Sequence, residues 1–321
     1  MHLRSKGFWV VFRRNVSIFF ARSVAWVVLG CVALVSCRSV RAEDGTKRTA
    51  WPEVSIDLIA LDHKNDVVSN LAPENVQVGE NGVPQTVTSL NKEDLPASIC
   101  VLVDVSGSMF NYAEEQRRIA WSFIQQANTQ DEFCIVSFQW EGWLEQTFTK
   151  DRAQLMGALK GLKFGGGTAS LDAIKAATDY MDQHASNRTR VLVVSTDGAD
   201  NASRLSSSKL AQALKAKGYL LCVLAFAPAG DLDVYRGIGQ TLRGPVESTG
   251  GLILYADGSA KMDVAIKQLD DAIRGRYRLS YTSTNADRDG KLRSLEVKPL
   301  KTAGAVKMSL HAQKGYYAPS Q

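Results

Sequence analysis

Beyond residue 42 the chain lacks an excess of positive charge, although all 321 residues together carry a net charge of +5. Residues 1–42 contain seven Lys or Arg and no acid, so the rest of the chain has a net charge of −2. A region with this negative net charge lacks the general excess of positive charge that attracts nucleic acid. We therefore expect no nucleic-acid partner and assign the basic end to targeting.

Cysteine is also scarce, with five in the whole chain. Three of them, Cys100, Cys134 and Cys222, lie beyond residue 42 in apolar, strand-like stretches, and no CxxC spacing occurs. The sequence therefore indicates neither a zinc site nor a redox pair, and we expect buried free thiols. The one disulfide worth testing is Cys100 with Cys134, because the two strands that contain them are candidates for adjacent positions in the sheet.

The N-terminal apolar run is too short for an ordinary membrane span. Ser23–Ser36 has 14 uncharged residues, which as a helix reach about 21 Å against a hydrocarbon core of about 30 Å. This length suits a signal peptide within a leader of residues 1–42. Three outcomes stay open: a lipoprotein at Cys37, cleavage after Ala42, and an uncleaved anchor. We expect a membrane-anchored, periplasmic or cell-surface protein in preference to a secreted one.

Between residues 95 and 275, short apolar runs alternate with amphipathic stretches. Ser98–Val105 is nearly all apolar, as expected of a strand covered on both faces. Tyr112–Asn128 follows, with apolar side chains at helical spacing. The repeated alternation predicts an α/β domain with a doubly wound, mainly parallel, six-stranded sheet.

The two flanks have the period-two pattern of β-strands. In residues 48–94, Asn81-Gly82 lies between alternating apolar positions, which is a strong hairpin signal. In residues 276–318, alternation recurs around Tyr277–Tyr281 and Leu295–Val297. About three strands on each side are too few for an independent core. We therefore predict one small discontinuous β-sandwich, built from both flanks, into which the α/β domain is inserted.

Polar side chains follow apolar strands at three places in the α/β region: Asp104, Ser106 and Ser108; Thr168 after a run of three glycines; and Asp197 before Gly198. Ligands of open α/β sheets bind at the carboxyl ends of strands where the strand order reverses. If the Asp104 and Asp197 strands are neighbours there, the three segments converge.

These donors are two carboxylates and three hydroxyls, all hard oxygen ligands. Such a set suits Mg²⁺ or Mn²⁺, whereas Ca²⁺ sites use more carboxylates and carbonyls and zinc sites use His or thiolate. We predict a Mg²⁺ or Mn²⁺ site in which Gly107 lets the loop fold tightly between two ligands and Gly165–Gly167 let backbone pack close to the ion.

The pattern Asp104-x-Ser106-x-Ser108, Thr168 and Asp197-Gly198 resembles the metal-ion-dependent adhesion site of von Willebrand factor type A domains, over residues 95–275. The flanks, through Leu71–Gln85 and Tyr277–Tyr317, resemble the von Willebrand factor type A-related family described from Acidobacteria. The resemblance implies that Ser106 and Ser108 bind metal directly and that Thr168 does so in a ligand-competent state. It also implies that Asp104 and Asp197 act mostly through water. A protein partner's Asp or Glu would complete the metal shell.

Each residue also has a purely structural alternative. Ser106, Ser108 and Thr168 could cap helices, and Asp197 could form a turn. Two nearby acids have alternatives as well. We expect Asp172 to be a helix N-terminal residue in preference to a metal ligand. We expect Asp200 to be a loop or capping residue in preference to a group that contacts the metal ligands. A further set is a candidate for the rim of the site: Tyr112, Trp140 and Trp143.

No catalytic set emerges from the sequence. The four His lie outside the three site segments, and GxSxG, HExxH and GxxxxGK[ST] are absent. The Asp-x-Asp pattern of aspartyl phosphatases is missing because residue 106 is Ser. We predict a non-enzymatic, metal-dependent protein-binding module. The alternatives are a metal-dependent phosphoester hydrolase and a structural envelope-assembly protein that uses its β flanks.

Overall fold

The structure, a computed structural model, describes residues 2–3, 53–215, 217–226, 232–300 and 307–320. Apart from His2 and Leu3, the predicted leader, with Cys37 and Ala42, lies outside the described residues. In the part of the chain that is described, no helix has both the length and the apolar character needed to cross a membrane.

The described strands and helices follow the expected alternation between two β-rich ends. The strands are β1 (His2–Leu3), β2 (Glu53–Asp62), β3 (Val76–Glu80), β4 (Val83–Gln85), β5 (Val87–Lys92), β6 (Ala97–Asp104), β7 (Glu132–Phe138), β8 (Gly142–Thr149), β9 (Thr189–Thr196), β10 (Tyr219–Phe226), β11 (Ile253–Ala256), β12 (Tyr277–Thr282), β13 (Leu292–Pro299), β14 (Met308–Ala312) and β15 (Gly315–Tyr317). The α-helices are α1 (Ala113–Gln126), α2 (Arg152–Gly161), α3 (Ser170–His184), α4 (Ser207–Leu214), α5 (Leu232–Thr241), α6 (Arg243–Thr249) and α7 (Ser259–Arg274).

The central sheet has the order β1-β8-β7-β6-β9-β10-β11. Strands β6, β7, β9, β10 and β11 run parallel, and β8 is antiparallel to β7. The predicted six-stranded, mainly parallel sheet is confirmed as β6 to β11, with the two-residue strand β1 added beside β8. Every residue of β6, β7 and β10 is buried, which explains their continuous apolar runs.

Helices cover both faces of this sheet, as a doubly wound fold requires. Ile119 of α1, Leu155 of α2 and Met262 of α7 belong to the apolar core on one face. Ile174 of α3 and Leu210 of α4 belong to the core on the other face. The amphipathic stretches of the sequence are therefore the two outer layers.

The flanks form two four-stranded antiparallel sheets, β14-β2-β12-β5 and β15-β13-β3-β4. Each sheet joins strands from both sides of the α/β domain, for example Leu279 opposite Ile56 and Val297 opposite Val78. One apolar core is shared by the two sheets. The predicted discontinuous β-sandwich is thus confirmed. Its hairpin turn is at Asn81-Gly82, where both residues have positive φ (49° and 82°), as a type I′ turn requires.

One helix was not predicted from the sequence. Helix α6 contains Gly244 and Pro245, which indicate a loop, yet Pro245 lies in the first turn, where no intrahelical N–H bond is lost. Val246 of α6 packs into the core beneath it and stabilises the helix.

The three cysteines of the α/β domain are buried and unbonded, as expected. Cys100 and Cys134 are direct register partners on β6 and β7. Burial raises the pKa of Cys222 to about 12 and that of Cys134 well above its ordinary value, so both remain thiols.

Candidate metal-binding site

The three polar segments meet at the carboxyl end of the central sheet. Strands β6 and β9 are neighbours, with Val103 opposite Ser195, so Asp104 and Asp197 leave the sheet side by side. The chain continues from β6 to β7 on one side, while β9 lies on the other. This reversal of strand order is where doubly wound sheets bind ligands.

Asp104 is the most deeply buried acid of the site, with none of its surface exposed. Its Oδ1 accepts a hydrogen bond from the Ser106 amide at 2.9 Å, and its Oδ2 accepts one from the Thr196 hydroxyl at 2.6 Å. Burial raises the pKa of Asp104 to about 6, against the lowering effect of these hydrogen bonds, and the negative charge of Asp197 raises it further.

The hydroxyl groups of Ser106 and Ser108 lie 3.1 Å apart. Ser106 occupies the N-cap position of the 3₁₀ helix Gly107–Tyr112, but its side chain makes no capping hydrogen bond. Thr168 lies before the N-cap of α3, which is Ala169. The alternative interpretation of Ser106 and Thr168 as capping side chains is therefore wrong.

The glycine run joins the first two segments through backbone contacts. The Gly107 amide donates to the Gly166 carbonyl at 3.0 Å, and the Gly165 amide donates to the Val105 carbonyl at 2.8 Å. A Cβ on Gly107 would lie 3.2 Å from the Gly166 oxygen, and Gly166 has φ = 88°. Glycine is thus needed here for the close approach of two backbones.

Residues 198–205, which we name the clamp loop, bind the backbone around Thr168. Asn201 Oδ1 accepts from the Thr168 amide at 2.9 Å, and the Thr168 carbonyl accepts from the Asn201 and Ala202 amides at 3.0 Å. The Ser203 hydroxyl accepts from the amides of Leu171 and Asp172, both at 3.1 Å. The clamp loop therefore fixes Thr168 relative to the loop that carries Asp197.

The nearby acids Asp200 and Asp172 have structural roles. Asp200 Oδ2 accepts from the Ser170 hydroxyl at 2.7 Å and from the Ser203 hydroxyl at 2.8 Å. The carboxylate of Asp172 accepts from the Arg204 and Leu205 amides, each at 3.0 Å. Asp197 is half-buried, and its Oδ1 accepts from the Ala199 amide at 3.3 Å, so it also shapes a turn.

Thr196, Asn201 and Ser203 were missed by the sequence analysis. Thr196 ends the strand that precedes Asp197, but its partner Asp104 lies on another strand, so neither segment alone indicates the contact. The density of polar residues after Asp197 was the available signal for Asn201 and Ser203.

Of the three rim candidates, Trp140 lies closest to the glycine run. A Cβ on Gly167 would lie 2.4 Å from its ring, so the indole rests on that backbone. Tyr112 instead packs edge-on against Phe226, with ring centroids 5.0 Å apart. Trp143 lies on β8, opposite His2 of β1.

The residues present fit a hard divalent cation. Among the described residues, no Lys, Arg or His forms a salt bridge with the buried Asp104, so a cation would balance its charge. Adjacent ligands of an octahedral Mg²⁺ lie about 3 Å apart, which matches the Ser106–Ser108 hydroxyl spacing of 3.1 Å. Groups of three or more His, Cys, Asp or Glu suited to a metal do not occur in the described ranges, so hydroxyls are essential to this set.

Comparisons with solved structures find several similar proteins at low sequence identity. The chain is similar to the conserved hypothetical protein BatB from Bacteroides thetaiotaomicron (17% identity, 56% of this chain and 98% of that chain, TM-score 0.44). It is also similar to a von Willebrand factor type A protein from Catenulispora acidiphila (12% identity, 86% of this chain and 75% of that chain, TM-score 0.47). A third similar structure is the vWF domain of the type V pili tip protein Mfa5 from Porphyromonas gingivalis (14% identity, 56% of this chain and 97% of that chain, TM-score 0.43). No curated protein matches the chain.

The family model of the von Willebrand factor type A domain matches residues 99–199. That range begins in β6 and ends in the clamp loop, so it contains all five predicted metal ligands. It does not reach the flanks, whose resemblance to the Acidobacteria branch stays a prediction. On this match, residues 99–199, which carry the candidate site, are assigned to the von Willebrand factor type A domain.

Proposed function

We propose that the chain is an exported, envelope-associated module that binds a protein partner in a Mg²⁺- or Mn²⁺-dependent manner. The observation that carries the proposal is the convergence of Asp104, Ser106, Ser108, Thr168 and Asp197 on hydrogen-bonded loops at one end of the sheet. The family match over residues 99–199 supports a protein-interaction role.

The hydroxyl and carboxylate residues of the site would have different roles toward the metal. The hydroxyls of Ser106, Ser108 and Thr168 are neutral ligands, and the carboxylates of Asp104 and Asp197 balance a divalent charge, mostly through water. When bound, the ion supplies an electrophilic centre that accepts a carboxylate from the partner. Because three of the five donors are neutral, the site keeps affinity for that outside Asp or Glu.

Capture of envelope proteins tests this function. The full-length chain, immobilised and exposed to envelope extract, should retain a partner in Mg²⁺ and release it in EDTA. Asp104→Ala and Thr168→Ala should lose that partner. Asp263→Ala, which removes an exposed carboxylate on α7, should retain it. Capture that survives EDTA and both site substitutions would contradict metal-bridged recognition.

The rival functions give different results in the same preparation. A metal-dependent phosphoester hydrolase would turn over 4-nitrophenyl phosphate in Mg²⁺ and lose that turnover in Asp104→Asn; we expect no turnover. A structural protein acting through its β flanks would assemble normally with the site substituted. We expect loss of partner binding instead.

Export is tested separately from binding. We expect the chain in the membrane fraction, with its α/β domain accessible to protease outside the cytoplasm. Cys37→Ser should abolish metabolic labelling with palmitate if the lipoprotein form is correct. A cytoplasmic, soluble chain would contradict the proposed location while leaving the binding chemistry open to its own test.

A further inference from the structure

Two exposed aromatic side chains lie beside the segments that carry the candidate metal ligands: Phe110 in the 3₁₀ helix Gly107–Tyr112, and Trp140 in the turn between β7 and β8. Phe110 is 64% exposed and follows Ser108 by two residues, and Trp140 is 63% exposed. The segment of Phe110 is joined to the glycine run where the Gly107 amide donates to the Gly166 carbonyl at 3.0 Å, and Trp140 lies against Gly166 and Gly167 of the same run. Single exposed apolar residues are ordinary, but aromatic rings are enriched at protein interfaces.

The Trp140 indole is held in place from one side only. A Cβ on Gly166 would lie 2.8 Å from its Nε1, and a Cβ on Gly167 would lie 2.4 Å from its six-membered ring. Two consecutive glycines therefore make room for this ring directly before Thr168. The ring is fixed on backbone while most of its surface faces solvent, which is the arrangement of a pre-ordered contact residue.

Three polar side chains beside the site are engaged within the protein. Asn201 bonds the Thr168 amide, and both Asp200 and Ser203 bond the first residues of α3. A sugar would need such groups for its hydroxyls, whereas an apolar side chain needs none. Phe110 and Trp140 therefore offer exposed apolar contacts beside the candidate ligands.

We propose that Trp140 and Phe110 form an apolar platform that selects protein partners carrying a large apolar side chain next to the metal-binding Asp or Glu. This inference rests on the proposed function, because the partner's carboxylate supplies the anchor. The platform would distinguish partners by the residue next to their Asp or Glu. Binding of a carboxylate to the metal alone does not distinguish them, because every such partner supplies the same group. The partner class is therefore an exposed acidic segment with an adjacent aliphatic or aromatic residue.

A bead-displayed peptide library with a fixed central Asp and randomised neighbours tests the platform. Peptides retained by the full-length chain in Mg²⁺ and released by EDTA should be enriched in Leu, Ile, Met, Phe, Tyr or Trp within two positions of the Asp. Trp140→Ala and Phe110→Ala should each weaken a selected peptide about 10- to 30-fold. Their Mg²⁺ affinity, measured by calorimetry, should stay within about twofold of wild type, as expected for residues that contact only the partner.

Trp140→Phe keeps an aromatic ring on the glycines and should retain most of the affinity. Trp143→Ala removes a neighbouring tryptophan on β8 and is the matched control, with no expected loss. Released peptides with no apolar preference would overturn the platform and leave the proposed function standing. EDTA-dependent binding of polygalacturonate in place of peptides would also overturn it. If wild type retains no peptide in a Mg²⁺-dependent way, the platform and the proposed function both fail.

Discussion

The hydroxyl of Thr196 donates a 2.6 Å hydrogen bond to Oδ2 of Asp104, across the neighbouring strands β9 and β6. The same hydroxyl accepts a hydrogen bond from the Gly198 amide at 3.0 Å. Thr196 thus connects the buried carboxylate of the first site segment to the backbone that follows Asp197. Such partners of ligating residues orient the ligand and tune its affinity for metal.

Replacing Thr196 with Val keeps the shape of the side chain and removes the hydroxyl. We expect a 10- to 100-fold weaker affinity for Mg²⁺, roughly the range found for partners of metal ligands, and a loss of about 1–3 kcal/mol in the free energy of unfolding. Calorimetric titration and urea denaturation measure the two effects. Thr196→Ser retains the hydroxyl and should restore both. Unchanged Mg²⁺ affinity in Thr196→Val would contradict the positioning role.

Asn201 gives a second test of positioning, this time at Thr168. Asn201→Ala removes the acceptor for the Thr168 amide, so we expect weaker Mg²⁺-dependent partner capture although no predicted ligand is changed. Asn201→Asp keeps an acceptor oxygen and should recover most of the loss. Gln183→Ala, an exposed amide at the far end of α3, is the control. Equal capture by Asn201→Ala and wild type would show that the clamp loop does not matter for binding.

Glu80 connects the two halves of the β-sandwich. Its buried carboxylate accepts hydrogen bonds from the hydroxyls of Tyr281 and Tyr316, both at 2.8 Å, and of Ser283 at 2.9 Å. Glu80→Ala leaves these buried hydroxyls without their acceptor, so we expect a loss of about 3 kcal/mol in unfolding free energy. Glu296→Ala on β13 removes only an exposed ion pair and should cost less than about 1 kcal/mol. Equal stability of the two variants would contradict a shared sandwich core.

Asp270 on α7 predicts a pH dependence of stability. Burial raises its pKa from 3.8 to about 6, although the Arg274 guanidinium opposes the shift. The folded chain holds this proton more tightly than the unfolded chain, so the free energy of unfolding falls as pH rises from about 4 to about 6. Relative to Asp270→Asn, wild type should lose about 2–3 kcal/mol over that range.

Urea denaturation at pH 4, 5, 6 and 7 measures the difference between wild type and Asp270→Asn. Asp263→Asn, an exposed acid on the same helix, should follow wild type. The remaining charged groups that act on Asp270 are Asp94, Asp131 and Asp271, which raise its pKa as well. A difference between wild type and Asp270→Asn that does not change with pH would contradict the assignment.

The fold was largely predictable because its signals are local and repeated. Buried parallel strands such as Ala97–Asp104 appear as continuous apolar runs, and Asn81-Gly82 specifies its hairpin turn by backbone preference alone. Helix α6 was not predictable because Gly244 and Pro245 favour a loop locally, while packing of Val246 decides the outcome. Tertiary contacts overrode local preference there.

Four of the predicted ligands could be proposed from the sequence because they lie at or just after the ends of β6 and β9: Asp104, Ser106, Ser108 and Asp197. Thr168 lies between α2 and α3, and its signal was the run of three glycines before it. The residues that position them were harder to find. Asn201 acts on Thr168, 33 residues away, and Thr196 acts on Asp104, 92 residues away. These partners become visible only when β6 and β9 are adjacent and the clamp loop folds over the start of α3. No motif in one segment contains that information.

Calorimetric titration of the full-length chain with Mg²⁺ and with Mn²⁺ tests the central claim most directly. The account predicts one divalent ion per chain for wild type and no measurable binding for Asp104→Ala, with the fold of the variant checked by circular dichroism. Equal binding by wild type and Asp104→Ala, or no binding by a folded wild type, would contradict it.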